Sequence, residues 1–321
     1  MFYTYCKLFN SKIYYCYVDN EGNRHKEIIK DYSPSLFIPS EKGTYKSFTG
    51  KKLARKAFKS IYDARNFLQK YEDVENFEIA GFTNFDLTFL ADTYSNEIDF
   101  DFRKFRIGCI DIETTVSEGF PYPDEAKNPV TAITINFRNK FYVLGTGYYS
   151  IERDDVKYVR CKDETTLLIT FLALWKKLDL DIITGWNSNN FDIPYLYNRI
   201  SKILNEECAN QLSPFGIVKI NEKEISGRKH YVPMILGISC IDYLELYRKF
   251  PYPKNIESYK LDYVGELELN EHKLSFEDEG YNIIKFLTTS KGLKVPKDKP
   301  QDSLETFERW ARLREKISEK L

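Results

Sequence analysis

A short apolar segment that contains two carboxylates constrains this chain more than any other feature of its sequence. The segment is 106–115, Arg-Ile-Gly-Cys-Ile-Asp-Ile-Glu-Thr-Thr. Its nearly continuous apolar run predicts a strand in a sheet that is covered on both faces. Because side chains alternate along a strand, Asp111 and Glu113 leave it on the same face, about 6 to 7 Å apart. Two carboxylates in an apolar setting repel each other, so a divalent cation between them is the simplest compensation.

The same pair also fits a strand end at which both acids reach water or pair with Arg or Lys, since a short Asp-x-Glu motif is a weak signal. A second segment, 181–200, favours the metal interpretation, because a short apolar strand there runs through a polar turn into a helix that begins near Asp192. Asp192 is therefore a candidate third carboxylate. Followed by Ile193 and Pro194, it also has the pattern of a helix N-cap. The two interpretations are compatible, because a carboxylate at a helix start is held in one orientation.

The two segments together resemble the first and second exonuclease motifs of family B DNA polymerases, including those of T-even-type bacteriophages. The resemblance consists of Asp-Ile-Glu at 111–113, followed by Gly-Trp-Asn-x-x-x-Phe-Asp-Ile-Pro-Tyr at 185–195. Other segments match in the family's order, over about the first 275 residues: 32–37, 90–94, 119–121, 237–239, 242–243, 246–250 and 259–263. The resemblance implies the amino-terminal and 3′-5′ exonuclease portion of such a polymerase.

Three regions are predicted along the chain. Residues 1–105 form a smaller mixed amino-terminal domain that shows no chemistry and is a scaffold or a template-side nucleic-acid contact. Residues 106–290 form the exonuclease domain, of the α/β (α+β) class. Residues 291–321 form a linker and a carboxyl-terminal amphipathic helix, which packs either on its own domain or on a partner.

The exonuclease domain is predicted to contain a ribonuclease-H-like mixed sheet. Strands at 130–137 and 140–144 extend the acidic strand into a three-strand meander. A helix capped by Asp163 and a strand at 181–184 follow. This order of a meander and then alternating helix and strand is the one that such a sheet requires.

The amino-terminal region is predicted to contain strands at 1–9, 12–18 and 24–29 and a helix at 61–71. Its basic run at 50–59 is interpreted as a solvated face, although a basic stretch beside an aromatic residue also suits a phosphate backbone.

Composition limits the classes of protein and of partner. With 47 Lys and Arg against 48 Asp and Glu, the net charge is -1, so DNA contacts must come from local basic and aromatic patches. The six cysteines are scattered and form no Cys-x-x-Cys pair, which predicts reduced thiols in a cytoplasmic protein, in the host cell if the protein is viral. Neither a signal peptide nor a membrane-spanning segment is predicted.

Three residues are candidate DNA contacts. The resemblance implies that Phe120 stacks on a base of the strand end being cut and that Asn187 helps hold the sugar or phosphate. A β-hairpin is predicted at 217–234, with Arg228 at its polar, basic tip. In similar polymerases such a hairpin projects towards the primer-template junction. A loop anchor for Phe120 and an ordinary surface hairpin remain alternatives.

The resemblance implies two-metal hydrolysis of DNA with Mg²⁺ or Mn²⁺. Asp111 is expected to bridge both ions and Glu113 to hold the ion on the nucleophile side. Asp192 is expected to reach the other ion, directly or through water. Asp242 and Asp262 are interpreted as structural, and Asp242 is a possible extra ligand.

The sequence departs from the family at the third exonuclease motif, a helix with Tyr-x-x-x-Asp. Tyr281-Asn-Ile-Ile-Lys285 has the tyrosine spacing but lysine at the aspartate position, and lysine does not bind a cation. The segment is either a degraded motif or not that motif, and the second explanation is preferred because 277–287 falls too soon after Asp262. We therefore expect a second polymerase chain that brings the missing aspartate with the palm, fingers and thumb. A stand-alone 3′-5′ exonuclease and a non-catalytic DNA-binding and docking subunit are alternatives. A ribonuclease of the same fold is disfavoured, because the sequence beyond the carboxylates follows the polymerase pattern.

Overall fold

The described part of the chain forms two compact units, Met1–Lys104 and a second unit that begins at Phe105. The computed structural model describes residues 1–75, 77–81, 83–94, 96–116, 121–147, 153–225, 227–250 and 256–271. Phe120, the segment 281–285 and the linker and helix predicted at 291–321 lie outside these residues.

The first unit contains two small antiparallel sheets and two helices. The first sheet has the order β1-β2-β3 and the second the order β4-β6-β5. The elements are β1 Phe2–Phe9, β2 Lys12–Val18, β3 Arg24–Ile29, β4 Ser35–Pro39, β5 Tyr45–Lys46, β6 Lys52–Ala57, α1 Ile61–Tyr71 and α2 Phe85–Thr93, with a 3-10 turn at Phe102–Lys104. The three predicted strands and the predicted helix α1 are confirmed.

The basic run at 50–59 contains β6, which lies in the middle of its sheet and was not predicted as a strand. Leu53 is buried in this strand, whereas Lys52 and Arg55 are exposed. The run is thus a strand with one buried apolar position and basic side chains in solvent.

A six-stranded mixed sheet forms the centre of the second unit, in the order β10-β9-β8-β7-β11-β14. Strands β7, β8 and β9 form the predicted antiparallel meander. Strand β10 runs parallel to β9, β11 runs parallel to β7, and β14 runs parallel to β11. These strands are β7 Ile107–Thr114, β8 Val130–Phe137, β9 Lys140–Gly145, β10 Val156–Arg160, β11 Ile182–Gly185 and β14 Ser239–Asp242.

Helices and a hairpin surround this sheet. They are α3 Glu164–Leu178, α4 Asp192–Ile203, α5 Glu206–Asn210, the hairpin of β12 Val218–Ile225 and β13 Arg228–Ile235, α6 Tyr243–Lys249 and α7 Leu261–Leu269. The predicted cap of α3 is confirmed, because the Asp163 side chain accepts a hydrogen bond from the Thr166 N–H. Gly227, with a φ of 72°, lies at the predicted hairpin turn. Every helix in the described ranges falls short of the length and apolar content that crossing a bilayer requires.

The main core lies between one face of this sheet and helices α3 and α4. One side of α3 is buried in it, and Ile110 and Ile112 of β7 belong to the same cluster; the buried α3 residues include Leu167, Leu168, Phe171, Leu172 and Trp175. Because strand side chains alternate, the side chains of Asp111 and Glu113 point to the opposite face. The core therefore fixes the direction of both acidic side chains.

Strand β11 passes so close to β7 that only glycine fits at its last position. A Cβ atom built on Gly185 would lie 2.7 Å from the Ile110 carbonyl oxygen and 2.8 Å from Ser188 Cβ. The backbone would have to move, because real Cβ atoms do not approach a carbonyl oxygen so closely.

We expect Gly185→Ala to lower the free energy of unfolding by about 1 to 3 kcal/mol, since overpacking here displaces backbone. Gly147→Ala is the matched control, because a Cβ at Gly147 meets nothing within 4 Å. Urea unfolding of both variants measures the difference. Equal stability of the two variants would show that the close approach of the strands is not restrictive.

Candidate active site

The two acids of β7 lie at the carboxyl-terminal end of the strand but differ in exposure. Asp111 is 9% exposed and pairs with Thr134 of β8 in the sheet register. Glu113 is exposed, and the register shifts directly after it. The prediction that both acids sit in an apolar setting therefore holds for Asp111 but is wrong for Glu113, because the strand leaves regular pairing at that point.

Strand β7 extends beyond its neighbour β11, and Asp192 occupies the space that this creates. The β7–β11 pairing ends at Cys109 and Thr184. Further along β7, the Ile112 N–H donates to Asp192 Oδ1 at 2.9 Å. Because the Ile112 nitrogen is bonded to the carbonyl carbon of Asp111, the Asp192 carboxylate lies beside the backbone of the acidic pair. The structure thus brings the second motif to the strand end that carries the first.

Asp192 is not the N-cap of α4, contrary to the sequence-based interpretation. It is the first helical residue, and the N-cap is Phe191, whose side chain makes no capping bond. Asp192 Oδ1 binds the Ile112 N–H of the sheet, which draws this residue towards β7. Its negative charge is nonetheless in the first turn, where the helix dipole favours it.

Asp242, the possible extra ligand, uses both carboxylate oxygens to bind backbone. Its Oδ1 accepts from the Asn187 N–H at 3.0 Å and the Leu244 N–H at 2.9 Å, and its Oδ2 accepts from the Asn189 N–H at 2.9 Å. The side chain is 2% exposed. Burial raises the pKa of Asp242 above its ordinary value, and the backbone donors offset this only partly. These contacts favour the structural interpretation over a ligand role.

The loop between β11 and α4 has a defined conformation. Asn187 has a φ of 62°, a left-handed conformation that Asn tolerates better than most residues. The Asn187 Oδ1 accepts a hydrogen bond from Asn190 Nδ2 at 3.1 Å. Trp186 Nε1 donates to the Tyr259 carbonyl at 3.2 Å, and its ring packs on Tyr247 with centroids 5.8 Å apart. Each residue of Gly-Trp-Asn therefore has a structural role: Gly185 allows the close approach to β7, Trp186 anchors the loop, and Asn187 adopts the left-handed conformation.

The hairpin is attached to both loops that flank the acids. The Tyr231 N–H of β13 donates to Asn190 Oδ1 at 3.3 Å. Lys229 Nζ lies 3.7 Å from Asp124 Oδ2, in the loop that follows β7. Arg228, the predicted DNA contact, is exposed at the first position of β13, next to the turn. Phe120 lies outside the described residues.

One face of α4 holds the loop after β7, and sequence reasoning missed it. Tyr195 Oη donates to the Asn128 carbonyl at 2.6 Å, and Asn198 Nδ2 donates to the Pro123 carbonyl at 2.8 Å. Arg199 Nη1 donates to the Ala126 and Lys127 carbonyls at 3.0 and 2.8 Å. The spacing of i, i+3 and i+4 within Tyr195-Leu-Tyr-Asn-Arg199 is the sequence signal that could have identified this face.

An ion pair between buried Arg199 and partly buried Glu164 completes this attachment. Arg199 and Glu164 of α3 form a two-bond contact, with Nε–Oε1 at 2.7 Å and Nη2–Oε2 at 2.6 Å. Glu164 Oε1 also accepts from the Val130 N–H at 2.7 Å. Helices α3 and α4 are thereby joined to the start of β8.

The donor atoms at the strand end suit a divalent cation. Asp111, Glu113 and Asp192 offer only carboxylate oxygens, which are the ligands that Mg²⁺ and Mn²⁺ prefer. Two of the three are buried beside one strand, where their charges need compensation. Within the described ranges, however, no group of three or more His, Cys, Asp or Glu is already arranged to hold a metal. The chemistry of the donors nevertheless fits such a cation.

Comparison with known proteins decides the family. Residues 67–264 match the sequence profile of the DNA polymerase family B exonuclease domain. The chain belongs to the family B DNA polymerases. Its mixed six-stranded sheet is the ribonuclease-H-like sheet of the family's exonuclease domain, and such domains are generally metal-dependent.

Two phage proteins illustrate the similarity of this family B chain to its relatives. It is 35% identical over 307 residues to the DNA-directed DNA polymerase of Escherichia phage RB69 and 31% identical over 305 residues to that of Enterobacteria phage T4. Each comparison covers 86% of the chain, but only 34% and 33% of the relatives. A DNA polymerase catalytic subunit of Alcelaphine herpesvirus 1 is 25% identical over 56% of the chain and 18% of the viral protein. The family B chain thus spans about a third of the length of the phage relatives.

We expect Asp242→Ala to lower the free energy of unfolding by about 1 to 3 kcal/mol, because several buried N–H groups lose their acceptor. Asp262→Ala is the control, since Asp262 is an exposed acid in the first turn of α7. Urea unfolding at neutral pH compares the two variants. A smaller loss of unfolding free energy in Asp242→Ala than in Asp262→Ala would contradict the structural role of Asp242.

The pH dependence of the free energy of unfolding should also show the contribution of the Asp242 carboxyl. The pKa of Asp242 is raised above 3.8 in the folded chain, so its contribution is greatest at low pH and is lost as pH rises through the folded pKa. We expect this fall in the wild type and not in Asp242→Asn, which does not titrate. Unfolding measured across the acidic range tests this, and identical profiles would contradict it.

Proposed function

We propose that this chain hydrolyses DNA from the 3′ end as the proofreading part of a family B replicative polymerase. Asp111, Glu113 and Asp192 are the catalytic acids. The observation that carries the proposal is the bond between Asp192 Oδ1 and the Ile112 N–H, which joins the second motif to the first inside a family B exonuclease domain. The phage relatives are named as DNA-directed DNA polymerases, which supports DNA as the substrate.

Two divalent cations, Mg²⁺ or Mn²⁺, are the proposed cofactors, with Asp111, Glu113 and Asp192 as their ligands. When bound, such ions polarise the phosphate and activate water. The chain's own contribution is to hold the ligands: the core directs Asp111 and Glu113, and the Ile112 N–H orients Asp192. Asp242 is left out of the proposed ligand set, because its oxygens bind backbone.

Three residues are the proposed DNA contacts. Asn187 holds the sugar or phosphate of the terminal nucleotide, and Phe120 stacks on its base. Arg228 contacts the primer-template from the exposed hairpin tip. The attachment of the hairpin to Asn190 and Asp124, on both flanking loops, supports this assignment.

A second polypeptide is proposed to supply a further acidic ligand and the palm, fingers and thumb. The sequence after Asp262 supports it, because the segment with the tyrosine spacing of the third motif, Tyr281 to Lys285, has no aspartate at the ligand position. The same observation supports one rival function, a non-catalytic DNA-binding and docking subunit. A stand-alone exonuclease is the other rival.

A cytoplasmic location, in the host cell for a viral protein, is also proposed. All six cysteines are free thiols, and Cys16 and Cys161 are buried. Free thiols throughout a chain are typical of reducing compartments.

We expect the full-length chain with Mg²⁺ and its partner to release nucleotides from a 3′-labelled single strand. Asp111→Ala should reduce the rate by about 100-fold or more, because it removes charge stabilisation at the scissile phosphate. Glu207→Ala, a change of an exposed acid on α5, is the control and should leave the rate unchanged.

The same assay without the partner separates the alternatives. Release by the chain alone supports a stand-alone exonuclease, and release only by the mixture supports the two-chain enzyme. No release in either case supports the docking subunit. Undiminished release by Asp111→Ala would refute the catalytic assignment.

We expect Asp192→Asn to separate the structural role of this residue from its catalytic role. The amide oxygen still accepts from the Ile112 N–H, so the free energy of unfolding should stay within about 0.5 kcal/mol of the wild type. Nucleotide release should nevertheless fall as far as in Asp111→Ala, because the charge is lost. Asp192→Ala is the matched variant that loses the hydrogen bond as well, at a cost of about 1 kcal/mol. Full nucleotide release by Asp192→Asn would exclude Asp192 as a charged ligand.

A further inference from the structure

The side chain of Asn190 lies between the hairpin and Asn187, and each end of its amide is used. Its Oδ1 accepts from the Tyr231 N–H of β13 at 3.3 Å. Its Nδ2 donates to Asn187 Oδ1 at 3.1 Å. An amide carries its acceptor on one atom and its donors on the other, so these two contacts together fix which way Asn190 points.

The backbone around Asn187 is held separately from its side chain. Asp242 binds the N–H groups of Asn187 and Asn189, and the Asn187 carbonyl accepts from the Asn190 and Phe191 N–H groups at 3.1 and 3.0 Å. The remaining freedom is the rotation of the Asn187 amide. Because its oxygen and nitrogen ends have nearly the same shape, hydrogen bonding decides which end faces outward.

The contact with Asn190 occupies the side-chain oxygen of Asn187 and leaves its NH₂ group to bind other acceptors. DNA offers mainly oxygen acceptors at its phosphates and sugars, and most protein contacts to DNA go to these atoms. An N–H donor is the end of the amide that binds such an oxygen, whereas a carbonyl oxygen repels it. The orientation imposed by Asn190 is thus the one that suits DNA.

We propose that Asn190 is a positioning residue that turns Asn187 so that its N–H donors face the oxygen atoms of the DNA strand end. The hairpin holds Asn190 in this orientation through Tyr231. The inference rests on the proposed function, which places Asn187 against DNA. It adds a residue whose own side chain need not touch the substrate.

The hairpin is itself fixed where it meets Asn190. Tyr231 is 8% exposed, and the neighbouring Lys229 is paired with Asp124 and with Glu222 of β12 at 3.2 Å. The donor that orients Asn190 therefore comes from a buried position of a paired strand. This gives the hairpin a second role besides that of its exposed tip.

Asn190→Asp reverses the proposed orientation. A carboxylate still accepts from the Tyr231 N–H but cannot donate to Asn187 Oδ1. It accepts from Asn187 Nδ2 instead, which turns the carbonyl of Asn187 towards the DNA. We expect affinity for a fluorescently labelled single-stranded oligonucleotide to fall about tenfold, as measured by anisotropy with the full-length chain in EDTA.

A double-mutant cycle separates this effect from added charge. Asn187→Gly removes the Asn187 side chain and suits its left-handed backbone. In the Asn187→Gly background, Asn190→Asp should reduce DNA affinity only by the factor that the added negative charge causes. Asn221→Asp measures that cost, because it adds the same charge at an exposed position of β12. The same tenfold loss in both backgrounds would overturn the inference.

Two further outcomes complete the test. Asn190→Ala, which leaves the Asn187 amide free to rotate, should reduce affinity by a smaller factor of about three. Wild-type affinity in Asn187→Gly would overturn the inference, because Asn187 would then not contact DNA. The nucleotide-release assay of Asp111→Ala judges the proposed function independently, so the failure of one is distinguishable from the failure of the other.

Discussion

The hydrogen bond from the Ile112 N–H to Asp192 Oδ1 is the interaction on which the arrangement of the site depends. It exists because β11 stops at Gly185 while β7 continues, which leaves an N–H of β7 without a strand neighbour on that side. A buried backbone donor needs an acceptor. The acid at the start of α4 supplies it, so a requirement of the sheet also brings the candidate acids to one place.

Helix α4 extends this effect to the loop that follows the acidic strand. Three of its side chains donate to four carbonyls of that loop, and its arginine is paired with Glu164 of α3. Buried ion pairs contribute little net stability, because desolvation offsets the attraction between the charges. Here the pair fixes the position of α4 relative to α3. In that position the first residue of α4 binds the end of β7, and its next two turns bind the loop after β7.

Local patterns were predictable from the sequence, and contacts between distant segments were not. The meander, α3 with its Asp163 cap and the hairpin follow from periodicity and turn residues close together in the chain. Strand β10 escaped prediction because it is only five residues long and pairs in parallel with β9, so no tight turn marks it in the sequence. The family resemblance identified the acids, but Asp192 as a sheet acceptor and Asp242 as a loop clamp depend on partners about 80 and 55 residues away.

The anchoring of Trp186 makes the position of its loop depend on helices that lie outside the central sheet. Its indole packs with Tyr243 and Tyr247 of α6 and is hydrogen-bonded to Tyr259, ahead of α7. Its neighbour in the chain is Asn187. A substitution that loosens these rings therefore shifts Asn187 relative to the candidate acids while the sheet stays folded.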